Sequence, residues 1–542
     1  MMFVSGDASP HVPTSTSDRD SLESPRATGW ALAPVMAAVF FSFLFSSAVR
    51  RPVPSVNEPH YLCKAKHYWN PDWCAGDVFL ESSNPHQVFY QTIGLFTQWL
   101  TLEQTAWVGR VLGLVCLAWG WTLLFSRLLE FRWSALTAAW IFLLLHSLGN
   151  FSGEWLVGGV ESKVFAYAFA FGGFAFVFDQ RWIISGIAIG LAISFHPIVG
   201  LWCVVAGVMT AIGIRIFGGE VNFDRATSRT DWRSLAMGAF AMLIASLPGL
   251  IPALSMLVGT DPVMAAEADR LQVGTRLAHH LDPMKFPLAS YRYYVLMLTL
   301  AAVLWSRARC SSHRSEFAGF VIASVVIAIV GVFVGWGPRP IQTMPMASTR
   351  IWLLKFYPFR LADLFVPVLL TVSVLAAVFD SASSSVPLSR KRMCAWGGCA
   401  LALILSLVLP SPDRNPSRMS PTVKADWIAC CEWVRTESPP DAFLYAANED
   451  WAVKWFSHRA EYVHYKDCPQ DAGGIVEWAR RLRLLNAWSR EAFVDGSCSQ
   501  SDLDELHDQT GITHMIVSRF GPMDAEPVYE NDSFKIYSPQ VK

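Results

Sequence analysis

Long apolar runs separated by short polar stretches dominate the first 410 residues. The first run, Trp30 to Val49, is long enough to span a bilayer, for which about 20 apolar residues are needed. It is too long for a signal-peptide core and lacks a clean small-residue cleavage site, so it reads as an uncleaved helix. Further runs lie near 105–125, 133–149, 156–178, 182–195, 197–217, 233–257, 291–306, 316–336, 361–379 and 393–410. They predict about eleven transmembrane helices within residues 28–410. The run broken at His196-Pro197 is either two helices or one long kinked helix. Two are expected, because residues 182–217 exceed the length of a single span. Residues 1–27 are polar, rich in Ser, Pro and Asp, and read as a disordered tail.

After residue 410 the pattern changes. A helical run (Ala425–Thr436), a short apolar strand (Ala442–Ala446), a second strand near Tyr462–Tyr465 and a helix (Gly474–Trp488) follow one another. Leu503–Gln509, the strand His514–Ser518 and a hairpin-like Pro527–Tyr537 complete the chain. Alternating strands and helices predict a small α/β domain over 411–542. The expected fold class is therefore a polytopic α-helical membrane protein with a small C-terminal α/β domain.

Composition supports this. The chain is 53% hydrophobic and only 16% charged, against about 25% charged in an average soluble domain. A net charge of −1 argues against nucleic acid as a partner, since a phosphate backbone demands a basic surface. No Walker loop, dinucleotide fingerprint or HExxH is present. Cations cluster in tight loops at Arg127/Arg132, Arg181, Arg215/Arg225/Arg229/Arg233, Arg307/Arg309/Arg314 and Arg390/Lys391/Arg392, all on one side under the eleven-helix count. The positive-inside rule makes that side cytoplasmic, with the N-terminus, and puts the C-terminal domain outside. A bacterial inner (plasma) membrane is the expected location.

Chemistry concentrates just beyond the first apolar run. The outer loop, residues 50–104, opens with Asn57-Glu58-Pro59-His60-Tyr61-Leu62 and carries Glu58, His60, His67, Asp72, Asp77, Glu81 and His86. Ionisable residues in or at the ends of spans are Arg110, Glu154, Glu161, Lys163, His196, Arg292, Arg360 and Asp363. Such residues are costly and mark function. All fall toward the outer ends, which implies a polar cavity opening outward. Glu161 and Lys163 are two apart, share no helix face and need not pair. Snorkelling to the interface is the plainer account of each residue taken singly.

The loop Gly337–Arg360 carries Arg339, Arg350, Lys355 and Arg360 without a carboxylate. Four unpaired cations beside a cavity suit a phosphate or pyrophosphate; the alternative is attraction to anionic headgroups. The preceding outer loop adds Arg270, Arg276, His279, His280 and Lys285, offset by Asp261, Glu267, Asp269 and Asp282. Of eleven cysteines, Cys63, Cys74, Cys430, Cys431, Cys468 and Cys498 fall in segments placed outside. There a disulfide is permitted, with Cys63–Cys74 the favoured pair and free thiols the alternative.

At this point the chain resembles the GT-C superfamily of membrane glycosyltransferases. That family places an acidic motif after helix one, commonly Asp-Glu, followed by a Tyr-Leu and an Ala. Asn57-Glu58, Tyr61-Leu62 and Ala65 stand in that order, and Arg110 in Val108-Gly109-Arg110 matches an Arg of the next helix. The segments Asp426-Trp427…Trp433-Val434-Arg435…Pro439 and Gly511-Ile512-Thr513-His514…Val528-Tyr529…Tyr537 are similar to the family's C-terminal tail. Asn57 departs from the usual first Asp, so the motif holds one carboxylate. Gly158–Lys163, Phe195-His196-Pro197 and Tyr357-Pro358-Phe359-Arg360 also resemble an uncharacterised family of bacterial multi-spanning proteins.

The resemblance implies sugar transfer from a polyprenyl-phosphate or -pyrophosphate donor to an acceptor hydroxyl on the outer face. Glu58 would be the general base. Lys355, Arg360, Arg276 and Arg339 would bind the donor phosphate. Asp77, His86, Arg110, Glu161, Lys163 and His196 would line the acceptor cavity. No particular cofactor is indicated, and a divalent metal at Asp77 and His86 stays open. Membrane lipids and the lipid-linked donor are the expected partners. A transporter or flippase, or a non-catalytic relative, are the competing readings. Transporters often show repeated halves, and no repeat is present here.

Overall fold

A computed structural model describes residues 29–83, 85–217, 232–308, 311–379, 388–447, 451–518 and 522–540. The expected N-terminal tail, Arg225, Arg229, Arg309 and Cys310, and the side chains of Arg390, Lys391 and Arg392, lie outside the description.

Helices occupy every stretch where the apolar runs call for one. In order they are α1 (Gly29–Arg50), α2 (Glu58–Trp69), α3 (Gln87–Thr92), α4 (Leu102–Leu128), α5 (Ser134–Leu148), α6 (Ser162–Phe178), α7 (Trp182–Phe195) and α8 (Pro197–Phe217). Then come α9 (Trp232–Ser255), α10 (Pro262–Leu271), α11 (Ala278–Leu281), α12 (Leu288–Trp305), α13 (Ser312–Gly335), α14 (Ala347–Leu354), α15 (Arg360–Phe379) and α16 (Leu388–Val408). Seven (α1, α4, α8, α9, α12, α13 and α15) are long and apolar enough to cross a membrane. Four more, Ser134–Leu148, Ser162–Phe178, Trp182–Phe195 and Met393–Val408, are apolar but shorter. The chain is an integral multi-pass membrane protein.

Local chemistry sets the helix ends. The Thr101 hydroxyl accepts from Gln104 N while the Gln104 side chain accepts from Thr101 N, a capping box that starts α4. His196 is extended because it precedes Pro197, so α7 stops there and the proline opens α8. Glycines let two helix pairs approach to backbone contact. A Cβ on Gly186 of α7 would lie 1.9 Å from the Gly238 carbonyl oxygen of α9, and one on Gly120 of α4 would lie 2.1 Å from the Ala168 oxygen of α6.

At one end of the bundle the loop cations meet each other's elements. Arg127 pairs with Asp179 at 2.7 Å, and Arg314 donates to the Leu128 carbonyl at 2.8 Å. The opposite end carries α2, the polar loops and the C-terminal segment.

That segment contains α17 (Pro421–Glu437), α18 (Val453–Ser457), α19 (Ala472–Glu491), α20 (Gln500–Thr510) and five strands. The strands are β1 (Phe443–Ala446), β2 (Ala460–Glu461), β3 (His514–Val517), β4 (Tyr529–Glu530) and β5 (Lys535–Tyr537). They form one sheet in the order β2-β1-β3-β5-β4. β1 runs parallel to β2 and β3, while β5 is antiparallel to β3 and β4. The two-residue strand period splits the core. Leu444, Ile516 and Ile536 pack with Trp427 and Val434 of α17, whereas Met515, Val517 and Tyr537 pack with Trp478, Trp488 and Leu506 from α19 and α20. The strand expected near Tyr462–Tyr465 instead ends at Glu461, two residues from pairing begun opposite Phe443. The stretch after it turns away toward the membrane helices. Ala268 and Leu271 of α10 join the α19 core, fastening the C-terminal segment to the bundle.

Candidate functional site

The loop rich in acids and imidazoles is largely a folded element. Pro59 stands in the first turn of α2, where its missing N–H costs nothing. Lys64 donates to the Phe79 and Ser82 carbonyls and to the Ser82 hydroxyl at 2.6–2.7 Å. His67 Nδ1 meets the Trp73 carbonyl at 2.8 Å, and Glu81 accepts from Gly76 N at 2.5 Å. These bonds wrap residues 73–82 onto the helix.

Glu58, expected as the general base, is fully buried and is not among the described residues that line the cavity below. Its Oε1 accepts from Arg110 Nε (2.7 Å) and Val160 N (2.9 Å). Its Oε2 accepts from Arg110 Nη2 (2.8 Å) and Ser55 N (2.7 Å). Arg110 donates further to the Arg51 and Pro52 carbonyls, both at 2.8 Å. Four donors on one carboxylate leave no lone pair aimed at solvent. Arg110 is likewise spent inside the fold and lines no acceptor cavity.

A chain of buried charges runs from this latch toward α15. Asn57 Nδ2 donates to Glu161 at 2.6 Å. Glu161 pairs with Lys163 at 3.2 Å although the two share no helix face, because Glu161 is the extended residue before α6 and the helix-face rule does not govern it. Lys163 lies 3.7 Å from Glu154, whose other oxygen is 3.0 Å from Arg360 Nε. Arg360 Nη1 reaches His196 Nε2 at 2.8 Å. Asp363, one turn into α15, fixes the segment bearing Glu154: it accepts from the Phe151, Ser152 and Glu154 amides, the latter two at 2.9 Å.

Arg360 and His196 open onto a cavity of about 670 Å³. Its polar end also carries His60 and Tyr61 of α2, His86, Arg276, Lys355 and Lys466. Much of the rest is apolar, walled by Ile198, Leu201 and Val205 of α8 and by Leu250, Leu254 and Leu257, with Thr260, Gln272 and Gln470 among the remaining lining residues. Four cations (Arg276, Lys355, Arg360, Lys466) face one carboxylate, Asp269, among the described lining residues.

The four cations expected to be unpaired each have partners. Lys355 Nζ is 2.8 and 2.9 Å from the two Asp269 oxygens. Arg339 grips Asp282 through both Nε and Nη2 and lines no part of the cavity. Arg350 donates to the Val334 carbonyl at 2.6 Å. Arg360, the fourth, has Glu154 and His196 as above, and Arg276 of the preceding loop donates to the Lys466 carbonyl at 2.8 Å and stacks 5.6 Å from the Tyr465 ring centre. The carboxylates that pair Lys355, Arg339 and Arg360 come from other loops, and Arg350 is held by a carbonyl, so counting charges within one loop missed these partners. The structure thus gathers Lys355, Arg360, Arg276, His86 and His196 around one space, and sets Glu58, Arg110, Glu161, Lys163, Asp77 and Arg339 apart from it.

Asp77 belongs to a second cluster. Its Oδ1 accepts from the Phe79 and Leu80 amides at 3.0 and 3.1 Å, and its Oδ2 from Glu461 N at 3.1 Å. Lys454 of α18 sits between Glu461 (2.8 Å), Asp467 (2.8 Å) and Asp77 (3.2 Å). Asp467 also meets His60 Nδ1 at 3.1 Å. Burial alone would raise the Asp467 carboxyl, but Lys454 and the hydrogen bond from His60 hold it well below the usual carboxylate range. Glu461 is pushed up by burial despite Lys454. Burial lowers the His60 imidazole, and Asp467 opposes that shift. No three His, Cys, Asp or Glu side chains group as a metal site among the described residues. Cys63 and Cys74 are buried free thiols, so the expected bridge is not formed. No motif announced Lys454, Glu461 and Asp467. The only signal was a run of charges between two apolar strands.

Comparison with known proteins places these residues. Residues 425–485, which include Lys454, Glu461 and Asp467, match a family described as a domain of unknown function (DUF6798). No curated protein matches the chain. Among solved structures, it is similar to ArnT from Cupriavidus metallidurans bound to undecaprenyl phosphate, at 12% identity and a TM-score of 0.49 over 94% of this chain and 98% of that one. It is similar to the arabinofuranosyltransferase AftD from Mycobacteria at 15% identity and a TM-score of 0.49, over 95% of this chain and 42% of that one. The oligosaccharyltransferase AglB from Archaeoglobus fulgidus, in complex with an inhibitory peptide and a dolichol-phosphate, is 11% identical with a TM-score of 0.38, over 91% and 70%.

Proposed function

We propose that this protein transfers a sugar from a polyprenyl-phosphate-linked donor to an acceptor hydroxyl, on the extracytoplasmic side of the membrane. The observation that carries the reading is the two-natured cavity. One space of about 670 Å³ joins apolar walls on α8 and α9 to an end with four cations against one carboxylate. Leu201 and Val205, which line it, are exposed side chains on α8, a helix long and apolar enough to cross a membrane. An isoprenoid chain enters between such helices without leaving hydrocarbon. A phosphate at its head meets Lys355, Arg276, Arg360 and Lys466. Fixed cations there hold the charge that grows on the leaving phosphate as the sugar departs, and in a water-poor site they act more strongly than in solution. In this reading Glu58 and Arg110 are the latch that sets α2 against the cavity.

The test is binding of undecaprenyl phosphate to the purified protein, followed by native mass spectrometry. Charge-assisted hydrogen bonds contribute about 1.5–3 kcal/mol each. Removing two cations, as Lys355→Ala with Arg276→Ala, is therefore expected to weaken binding more than about 100-fold at 1.4 kcal/mol per decade. Failure of the wild-type protein to bind, or equal binding by the double variant, overturns the proposal.

A further inference from the structure

Seven side chains in the cavity have an atom able to take a proton from an acceptor hydroxyl: His60, His86, His196, Asp269, Tyr61, Tyr357 and Cys468, of which the Tyr357 hydroxyl and the Cys468 thiol are raised by burial. Most are already committed. His196 Nε2 faces the Arg360 guanidinium, so its lone pair is held by a permanent donor. His86 has Ser162 on one side and the Phe195 carbonyl on the other. Both oxygens of Asp269 are on Lys355. The Tyr61 hydroxyl is raised by burial and bonded to Ser162.

His60 differs. Its Nδ1 donates to Asp467, which leaves the lone pair on Nε2. No described residue occupies Nε2, and the side chain, 17% exposed, borders both the large cavity and a smaller one beside Lys454 and Glu461. The ring is held by its aromatic neighbours as well, tilted against Phe79 at 4.2 Å and edge-on to Tyr61 at 5.7 Å. Asp467 in turn is anchored by Lys454, which Asp77 and Glu461 hold from the other side. A hydrogen-bonded base, a carboxylate that orients it and a cation that keeps the carboxylate ionised form a complete relay. Its outer members, Lys454, Glu461 and Asp467, all come from the C-terminal segment.

We propose that His60 is the general base of the transfer and that Asp467, supplied by the C-terminal segment, is its positioning residue. The inference rests on the sugar-transfer reading above. In the step, the acceptor oxygen forms a bond to the anomeric carbon as its proton passes to His60 Nε2. The bond from that carbon to the donor phosphate oxygen breaks, and its electron pair stays on the phosphate beside Lys355, Arg360, Arg276 and Lys466. The proton then leaves His60 for water, and the neutral ring is restored. Burial favours the neutral ring the step requires. The groups facing His60 are Asp467, Lys466 and Lys64, with His86 across the cavity.

The experiment uses the full chain, with labelled undecaprenyl-phosphate-linked pentoses and hexoses as donors and undecaprenyl phosphate binding measured alongside. His60→Gln is expected to lose transfer by about 100-fold or more while binding undecaprenyl phosphate within about two-fold of wild type. Asp467→Asn removes the charge that raises the imidazole value. Its rate should fall, and the acid limb of its pH–rate profile should move to lower pH, which loss of packing alone would not do. Transfer at the wild-type rate by a folded His60→Gln overturns the proposal and leaves the sugar-transfer reading standing. If His60→Gln does not fold, an Asp467→Asn profile coincident with wild type overturns it equally. A wild-type chain that binds undecaprenyl phosphate yet transfers nothing from any donor, or does not bind it at all, removes both.

Discussion

Replacing Glu58 by Gln separates a structural carboxylate from a catalytic one. The Glu58 carboxylate accepts four N–H bonds, two from Arg110 and one each from Ser55 and Val160, at 2.7–2.9 Å. An amide keeps one acceptor oxygen and turns the other into a donor. If the NH2 replaces Oε1, it faces Arg110 Nε and Val160 N; if it replaces Oε2, it faces Arg110 Nη2 and Ser55 N. Either way two buried N–H groups lose their acceptor and meet a donor. The guanidinium keeps only the Arg51 and Pro52 carbonyls and no counter-charge. Breaking a buried pair by removing one partner costs about 3–5 kcal/mol, a large share of the 5–15 kcal/mol that holds a typical domain together. Glu58→Gln should therefore unfold well before wild type in a detergent melt followed by tryptophan fluorescence. Arg110→Met should cost a similar amount. Glu58→Leu combined with Arg110→Met should cost less than the two single changes summed, because neither charge is left alone. A Glu58→Gln protein that melts with wild type while losing sugar transfer would refute this reasoning and return Glu58 to the chemistry.

Other perturbations probe separate links. Asp363→Ala removes the acceptor of three backbone amides and frees the segment holding Glu154; a loss of at least about 1–3 kcal/mol is expected in the same melt, and an unchanged melt contradicts it. Gly186→Leu drives a side chain into the Gly238 carbonyl, which a Cβ would already approach to 1.9 Å; the variant should lose monodisperse protein on size exclusion, and wild-type behaviour would deny the close α7–α9 packing. The C-terminal contact should be acid-labile. Asp467 has a depressed value when folded, so its contribution is present above the unfolded carboxyl value of about 3.9 and is lost as pH falls below it. Glu461, raised by burial, takes its proton first, and that step works in the opposite direction, favouring the folded contact, so the loss on acidification is assigned to Asp467. Hydrogen exchange around Ala460–Cys468 should stay slow from pH 8 to 5 and rise below about pH 4; protection that persists far below that range refutes the electrostatic account.

The apolar runs determined where the membrane helices form. A helix is the way a single segment satisfies its backbone in lipid, so length and hydropathy suffice, and even the break at His196-Pro197 follows from proline stereochemistry. The alternation of short strands and amphipathic helices after residue 410 was equally readable, because each face pattern is local. Partnership was not. Glu58 stood out as a reactive acid because its neighbours in the chain are His60 and Tyr61, yet its charge is matched by Arg110, 52 positions away. Lys355 and Arg339 stood in a loop without acids and found Asp269 and Asp282 in another. His60 met Asp467 across 407 positions. Charge pairing acts over a few ångströms of space and is indifferent to separation along the chain. Only the packed helices and the docked C-terminal segment decided which acids were spent on structure and which base was left facing the cavity.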